Sequence, residues 1–177
     1  MRVVSGTLGG RNFNSPQGYR THPMSDKMRG ALFNALGNIK GLSALDIYSG
    51  SGALGIEAVS RGAKMVISIE ADKSAYLTIE DNVTNLSIND RMKPTKAFFK
   101  SWSNRHPNDT FDLVLADPPY DFIVFKDIER LRKHLKDSGV VALSWPGKEE
   151  IPVIDGLSII KSNNYGDSQL VFYKKVS

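Results

Sequence analysis

The sequence contains no cysteine. That excludes disulfides, zinc–thiolate sites and thiol catalysis, and it fits an expected cytoplasmic location. Histidine is scarce and scattered, at His22, His106 and His134, so no metal site is expected. No apolar run approaches the ~20 residues of a membrane span, and no membrane partner is expected. The N-terminus MRVVSGTLGG lacks a secretory apolar core, so the mature chain is expected to begin here. Repeats and low-complexity tracts are absent. What remains is 177 residues, 41% hydrophobic and 24% charged, which suits one compact globular unit.

The net charge of +4 is unevenly placed. Residues 1–40 hold six basic groups (Arg2, Arg11, Arg20, Lys27, Arg29, Lys40) and one acid, Asp26. The remaining residues hold 17 basic and 18 acidic groups. The whole positive excess therefore lies at the N-terminal end, where a polyanion such as nucleic acid would be drawn.

The segments MRVVSG and GRNFNSP flank a glycine-rich turn and read as a hairpin. SDKMRGALFNALGNI reads as a helix capped by Ser25 or Asp26, with Met28, Ala31, Leu32, Ala35 and Leu36 at helical spacing. From residue 43 strands and helices alternate: SALDIY, the helical IEAVSRG, MVISIE, then a helix over ADKSAYLTIEDNVTNLSIN. The expected buried face of that helix is Ala75, Leu77, Ile79, Val83 and Leu86. A weak strand MKPTKAFF, a strong strand FDLVLA, a helix from about Val124 to Lys136 and a strand VVALSW follow. LSIIKS and QLVFYKK close the chain as two strands without a crossover. This order predicts a mostly parallel α/β sheet with an antiparallel edge.

LDIYSGSGALGIEA places Gly50, Gly52 and Gly55 between a strand and a helix. Such a turn lets a ligand approach the main chain, and Glu70 at the next strand end can accept both hydrogen bonds of a ribose diol. The pattern suits a nucleoside ligand, and a nicotinamide-dependent oxidoreductase shares it. Against the latter, Asp46 lies inside the first strand and the chain is short for two nucleotide-binding halves. Asp46 is expected to order the loop.

Asp117-Pro118-Pro119-Tyr120 follows the strand FDLVLA. The prolines fix φ and remove two donors, leaving the Asp117 carboxylate and the Pro118 carbonyl as acceptors. Two acceptors beside a ring suit an exocyclic amine of a nucleobase, with Tyr120 stacked on it. Such acceptors stabilise the positive charge that develops when the amine attacks an electrophilic methyl group.

Taken together, MRVVSGTLGGRNF, RTHPMSDKMRGALFNAL, LDIYSGSGALGIEAVSRGA, DPPY and YGDSQLVFY resemble the RsmD family of class I S-adenosylmethionine-dependent methyltransferases. The resemblance runs nearly end to end. It implies an α/β Rossmann-like fold, a seven-stranded mostly parallel sheet with its last strand antiparallel, plus a small N-terminal hairpin and helix. It implies an RNA-binding extension over 1–40 and a methyltransferase domain over 41–177. It implies S-adenosyl-L-methionine as cofactor and N2 methylation of a guanine in small-subunit (16S) ribosomal RNA. The cofactor would meet Asp46, Tyr48, Ser49, Gly50, Ser51, Gly52, Glu70, Ala71 and Ala97, and the amine would meet Asp117, Pro118, Pro119 and Tyr120. RNA, free or within a small-subunit assembly intermediate, would meet Arg2, Arg11, Arg20, Lys27 and Arg29, and the enzyme is expected to act as a monomer.

The chain departs from the family pattern at His22, where arginine is usual, at Met24, where threonine is usual, and at Gly30, where an acid is common. Lys96 stands where an Asp or Asn often meets the adenine amine, and lysine has no acceptor. Three alternatives remain. One is an adenine-N6 methyltransferase, which more often carries Asn in the place of Asp117. The others are the oxidoreductase and a non-catalytic RNA-binding module.

Overall fold

The structure is a computed structural model describing residues 1–16 and 23–176. The calls on Arg20 and His22 lie outside the described residues. Helix α1 (Asp26–Leu36) starts where the Ser25 side chain accepts the Met28 N–H at 3.2 Å, and stops at Gly37, whose φ of 76° suits glycine. Then come β1 (Ser43–Ile47), α2 (Ala53–Ser60), β2 (Met65–Glu70), α3 (Lys73–Asn85) and β3 (Met92–Lys96). α4 (Phe99–Arg105), β4 (Phe111–Ala116), α5 (Phe125–Arg130), β5 (Leu135–Pro146), β6 (Leu157–Asn164) and β7 (Ser168–Lys175) complete the chain.

The seven strands form one sheet in the order β3-β2-β1-β4-β5-β7-β6. β1 to β5 pair in parallel, and β7 runs antiparallel to both β5 and β6. The last strand is thus inserted inside the sheet, while β6 holds the edge. The chain reverses direction across the sheet between β1 and β4, and ligands of open α/β sheets bind outside the carboxyl ends of the strands at that point. One face packs on Leu32, Phe33, Ile56, Val59 and Ile79, the other on Phe99, Trp102, Ile128 and Leu131.

Several expectations shift. The helix over 124–136 is one short α-helix, α5, and a 3-10 turn over Leu131–His134, while β5 extends back to Leu135. α4 has no counterpart in the sequence reading; its seven residues are too few to show a period, although Phe99 and Trp102 are buried. Leu77 is 47% exposed. It lies two residues, about 200° of helix rotation, from both Ala75 and Ile79, which face the core. Asn82 fills that face instead: its amide bonds the Asn14 N–H and the Asn14 and Ser51 carbonyls.

The N-terminal hairpin is a loop closed by one bridge, Arg2 to Asn12, not a pair of regular strands. Val3, Leu8 and Phe13 drop from it into the same core that holds α1 and α2. The Glu57 carboxylate accepts the Val4 and Ser5 N–H groups at 2.8 and 3.0 Å and the Arg61 Nε at 2.8 Å. Arg29, 0% exposed, donates to the Arg2 and Met24 carbonyls and to Asp26, and its Nε lies 3.6 Å from Glu57. Arg29 is therefore a structural tie between the hairpin, α1 and α2, and not the RNA contact expected of it.

Candidate active site

A cavity of about 1210 Å³ opens at the carboxyl ends of β1, β2 and β4, lined by all three loops that the sequence singled out. It exceeds the ~300–1,000 Å³ of a site for one small molecule, leaving room for a donor and an acceptor together.

The glycine loop forms one wall of the cavity. Tyr48 leaves β1 with φ 58°, a left-handed conformation unusual for a tyrosine. Its hydroxyl donates to Asp127 of α5 at 3.2 Å, which ties the glycine loop to the helix after the proline turn. The Ser49 Oγ lies 2.9 and 3.2 Å from the carbonyls of Asp46 and Ile69, so it holds the loop while lining the cavity. Gly52 opens α2 with φ 80°. A Cβ on Gly55 would meet Met92 and the Ser68 Oγ at 2.8 Å, so α2 packs on the sheet only with glycine there.

Asp46 is buried, and its Oδ2 accepts the Gly55 N–H at 3.1 Å and the Ser68 hydroxyl at 3.4 Å. These bonds tie Asp46 to the start of α2 and to β2. Its Oδ1 is buried without a hydrogen-bond partner, on the cavity wall. Burial pushes the carboxyl up to about 7, against hydrogen bonds from Ser49 and Gly55 that lower it, and with Asp117 and Glu70 adding repulsion. Glu70 accepts the Gly50 N–H on one oxygen and the Asp72 N–H on the other, both at 2.8 Å, leaving each oxygen capacity for a hydroxyl. Burial raises this carboxyl too, and those backbone donors oppose the rise. Ala71, Ala97 and Phe98 continue the wall beyond it, and the Ala97 N–H donates to the Glu70 carbonyl at 3.0 Å. Ser51 and Gly52 complete the loop, with the Ser51 carbonyl bonded to Asn82.

The proline turn, after the neighbouring strand β4, lines the same cavity. Asp117, Pro118, Pro119 and Tyr120 all line the cavity. The Tyr120 hydroxyl lies 2.6 Å from the Ser144 Oγ on β5. Burial lifts Asp117 to about 6, and a hydrogen bond from that same Ser144 hydroxyl restrains the rise. One buried serine thus holds the ring's hydroxyl and sits close enough to Asp117 to lower its carboxyl. The sequence reading missed it, although a lone serine in the apolar run VVALSW was the available signal. Asp127 was also missed, since an acid on a short helix reads as solvated.

The charge of the cavity is one-sided. Among the described residues its lining carries seven carboxylates and one cation, Lys27. Lys27 and Arg2 are exposed as an RNA contact requires. Arg11 also reaches the surface, but its guanidinium donates to the carbonyls of Asn85 and Leu86 at the end of α3.

The comparisons agree on what carries this geometry. The family model described as Conserved hypothetical protein 95 matches residues 1–174. The chain belongs to the RsmD family of methyltransferases. Among curated proteins of this family, Ribosomal RNA small subunit methyltransferase D of Escherichia coli (strain K12) is 30% identical over 165 residues, which is 92% of this chain and 80% of that protein. YlbH of Bacillus subtilis (strain 168) is 30% identical over 188 residues, 99% of each chain. Among solved structures, the yhhF protein of Escherichia coli superposes with a TM-score of 0.87 at 25% identity, covering 99% of this chain and 97% of that one. The fold is that of the class I methyltransferases, antiparallel last strand included.

Proposed function

We propose that this protein transfers a methyl group from S-adenosylmethionine to the exocyclic N2 amine of a guanine in small-subunit ribosomal RNA. The observation that carries the reading is that two carboxylates from the ends of adjacent strands share one cavity: Asp46 with a bare buried oxygen on β1, and Asp117 beside Tyr120 just after β4. The name of the Escherichia coli relative, Ribosomal RNA small subunit methyltransferase D, supports ribosomal RNA as substrate. Asp117 in place of Asn favours guanine over adenine.

The residues fit the donor. The bare Asp46 Oδ1 suits a cationic ammonium, and Glu70 has acceptor capacity for a ribose diol. Bound S-adenosylmethionine supplies a methyl group made electrophilic by its sulfonium. The seven carboxylates suit its positive charge and oppose the pyrophosphate of a nicotinamide dinucleotide. A dinucleotide also needs free amides at the start of α2, where Asp46 already caps the Gly55 N–H.

At the proline turn, Asp117 and the Pro118 carbonyl accept the two amine N–H bonds and Tyr120 stacks on the base. Hydrogen bonding to the ionised carboxylate makes the attacking nitrogen more electron-rich, stabilises the positive charge that develops on it and lowers the barrier. Asp117 is then placed to take the proton that the methylated nitrogen releases. Ser144 keeps carboxylate and ring in register. Ser144→Ala should move the acid limb of the kcat–pH profile upward from about pH 6, because the donor that restrains Asp117 is gone. Ser144→Thr keeps a hydroxyl and should restore the limb. An unshifted limb in Ser144→Ala would remove Ser144 from this role.

Asp46 gives a second pH signature. Its folded carboxyl sits at about 7, so below that pH a cation must displace a proton to bind. Cofactor affinity should therefore rise with pH, approaching about tenfold per unit below pH 7, and level off above it. Calorimetry in buffers of differing ionisation enthalpy should show proton release at pH 6. In the free protein the same raised carboxyl favours folding below pH 3.8, and that contribution fades as pH climbs through about 7. The reading as a whole is tested by thermal unfolding: S-adenosylmethionine should raise Tm and NAD should not. The reverse pattern would sink it.

A further inference from the structure

Two aromatic rings stand out of the fold on the acceptor side of the cavity. Phe122 is 73% exposed and Tyr165 is 39% exposed, and both line the cavity. Neither was drawn into the reading of the proline turn. Phe122 closes the 3-10 turn that begins at Tyr120, with its N–H donated to the Pro119 carbonyl at 3.0 Å. Tyr165 sits in the turn between β6 and β7, and its N–H donates to the Ser168 carbonyl at 2.7 Å. Ser168 also lines the cavity, and the Tyr120 hydroxyl is held by Ser144 of β5, the strand that pairs with β7. The two rings therefore flank the acceptor turn on separate, hydrogen-bonded loops.

We propose that Phe122 and Tyr165 form a stacking platform for the unpaired nucleobases on either side of the target base in RNA. The inference rests on the RNA reading above and deepens it. Exposed aromatic faces stack on any base, with a sequence tolerance that hydrogen-bond readout lacks. Charge decides between base and backbone as the partner of this rim. Asp121 and Asp167 line the cavity next in sequence to or near the rings, and among the described residues Lys27 is the one cation of its lining. Phosphates are repelled there, whereas the N–H edges of bases find acceptors. Lys27, the cation of the cavity lining, lies on the rim formed by the start of α1, where it can hold the backbone that leaves the site. An unpaired strand thus has a place for its bases on one rim and for its phosphates on the other. The rings are also held in advance: the prolines fix the turn before Phe122, and the Tyr48–Asp127 bond anchors the helix after it.

Phe98 marks the limit of the platform. It too is 73% exposed and lines the cavity, but it follows Ala97 on the glycine-loop wall beside Glu70. Its loss should weaken cofactor binding and leave the KM for RNA unchanged.

The test is steady-state transfer to 16S rRNA, naked and in the small-subunit particle, by wild type, Phe122→Ala, Tyr165→Ala and Phe122→Trp. Loss of one stacked base should raise the KM for RNA by about 5- to 100-fold in each alanine variant. The Kd of S-adenosylmethionine and Tm should hold, and Phe122→Trp should restore KM. RNA made abasic beside the target guanine should impair wild type to the same degree, and the alanine variants should then lose nothing further. An unchanged KM in both alanine variants, a loss seen only with the particle, or losses that add to the abasic lesion would each overturn the platform and leave the methyltransferase reading intact. If wild type transfers no methyl group to RNA in any form, that reading fails first, and the platform with it.

Discussion

Asp117→Ala should bind S-adenosylmethionine with nearly unchanged affinity and yet transfer methyl groups about 10²–10³-fold more slowly, the usual loss when one preorganised hydrogen-bonding group is taken from a developing charge. The split follows from the geometry. Asp117 belongs to the turn after β4, whereas Asp46 and Glu70 line the glycine-loop wall. Asp117 does raise the Asp46 carboxyl from the neighbouring strand end, so its removal should lower that carboxyl and strengthen cofactor binding slightly below pH 7. Stability should move the other way from activity. Burial lifts Asp117 to about 6, so the ionised side chain opposes folding at pH 8, and Asp117→Asn should unfold at a higher temperature there than wild type. An inactive variant that is more stable and still binds cofactor is a signature that a damaged fold does not produce. Equal loss of cofactor binding and turnover would contradict it.

Arg29→Ala should be the most damaging single change to the fold. It strips a buried partner from Glu57 and leaves the Arg2 and Met24 carbonyls without their donor. Removing one member of a buried ion pair typically destabilises by about 3–5 kcal/mol. Arg61 and two backbone N–H groups still serve Glu57, which places the expected loss at the lower end of that range. Denaturant unfolding measures it directly. Lys27→Ala provides the contrast: the fold should be unchanged, while RNA binding weakens and its salt dependence falls by about one counterion. A stable Arg29→Ala variant with weakened RNA binding would return Arg29 to the surface role that its charge suggested.

Why the sequence misled at Arg29 and not at Asp117 has a physical answer. Parallel strands buried on both faces read as apolar runs, so β1, β2 and β4 were legible, and so were the loops at their carboxyl ends. The site lies at those ends, which is why Asp46, Glu70 and DPPY were found together. Buried charges are illegible by the same logic. Arg29 and Glu57 look like exposed helix positions, and only tertiary packing puts them face to face. Asn82 on the buried face of α3 is a similar case, because its value lies in three hydrogen bonds that span 31 to 68 residues of chain. Leu77 is the converse, an apolar residue turned to solvent by helix phase. The charge excess at the N-terminus was correctly counted but only partly available, since Arg29 is consumed by the core and Arg11 by the end of α3.

The family and the fold leave the base as the central claim, and it rests on Asp117, Tyr120 and the cavity they share with Asp46. Purified protein, S-adenosylmethionine carrying an isotopically labelled methyl group and 16S rRNA lacking its native modifications suffice to test it. After digestion to nucleosides, mass spectrometry should find the label in N2-methylguanosine, at a single position on mapping of the intact RNA. Label in N6-methyladenosine would contradict the assignment of Asp117 to guanine, and an unlabelled RNA alongside a protein that binds the cofactor would contradict the proposed reaction.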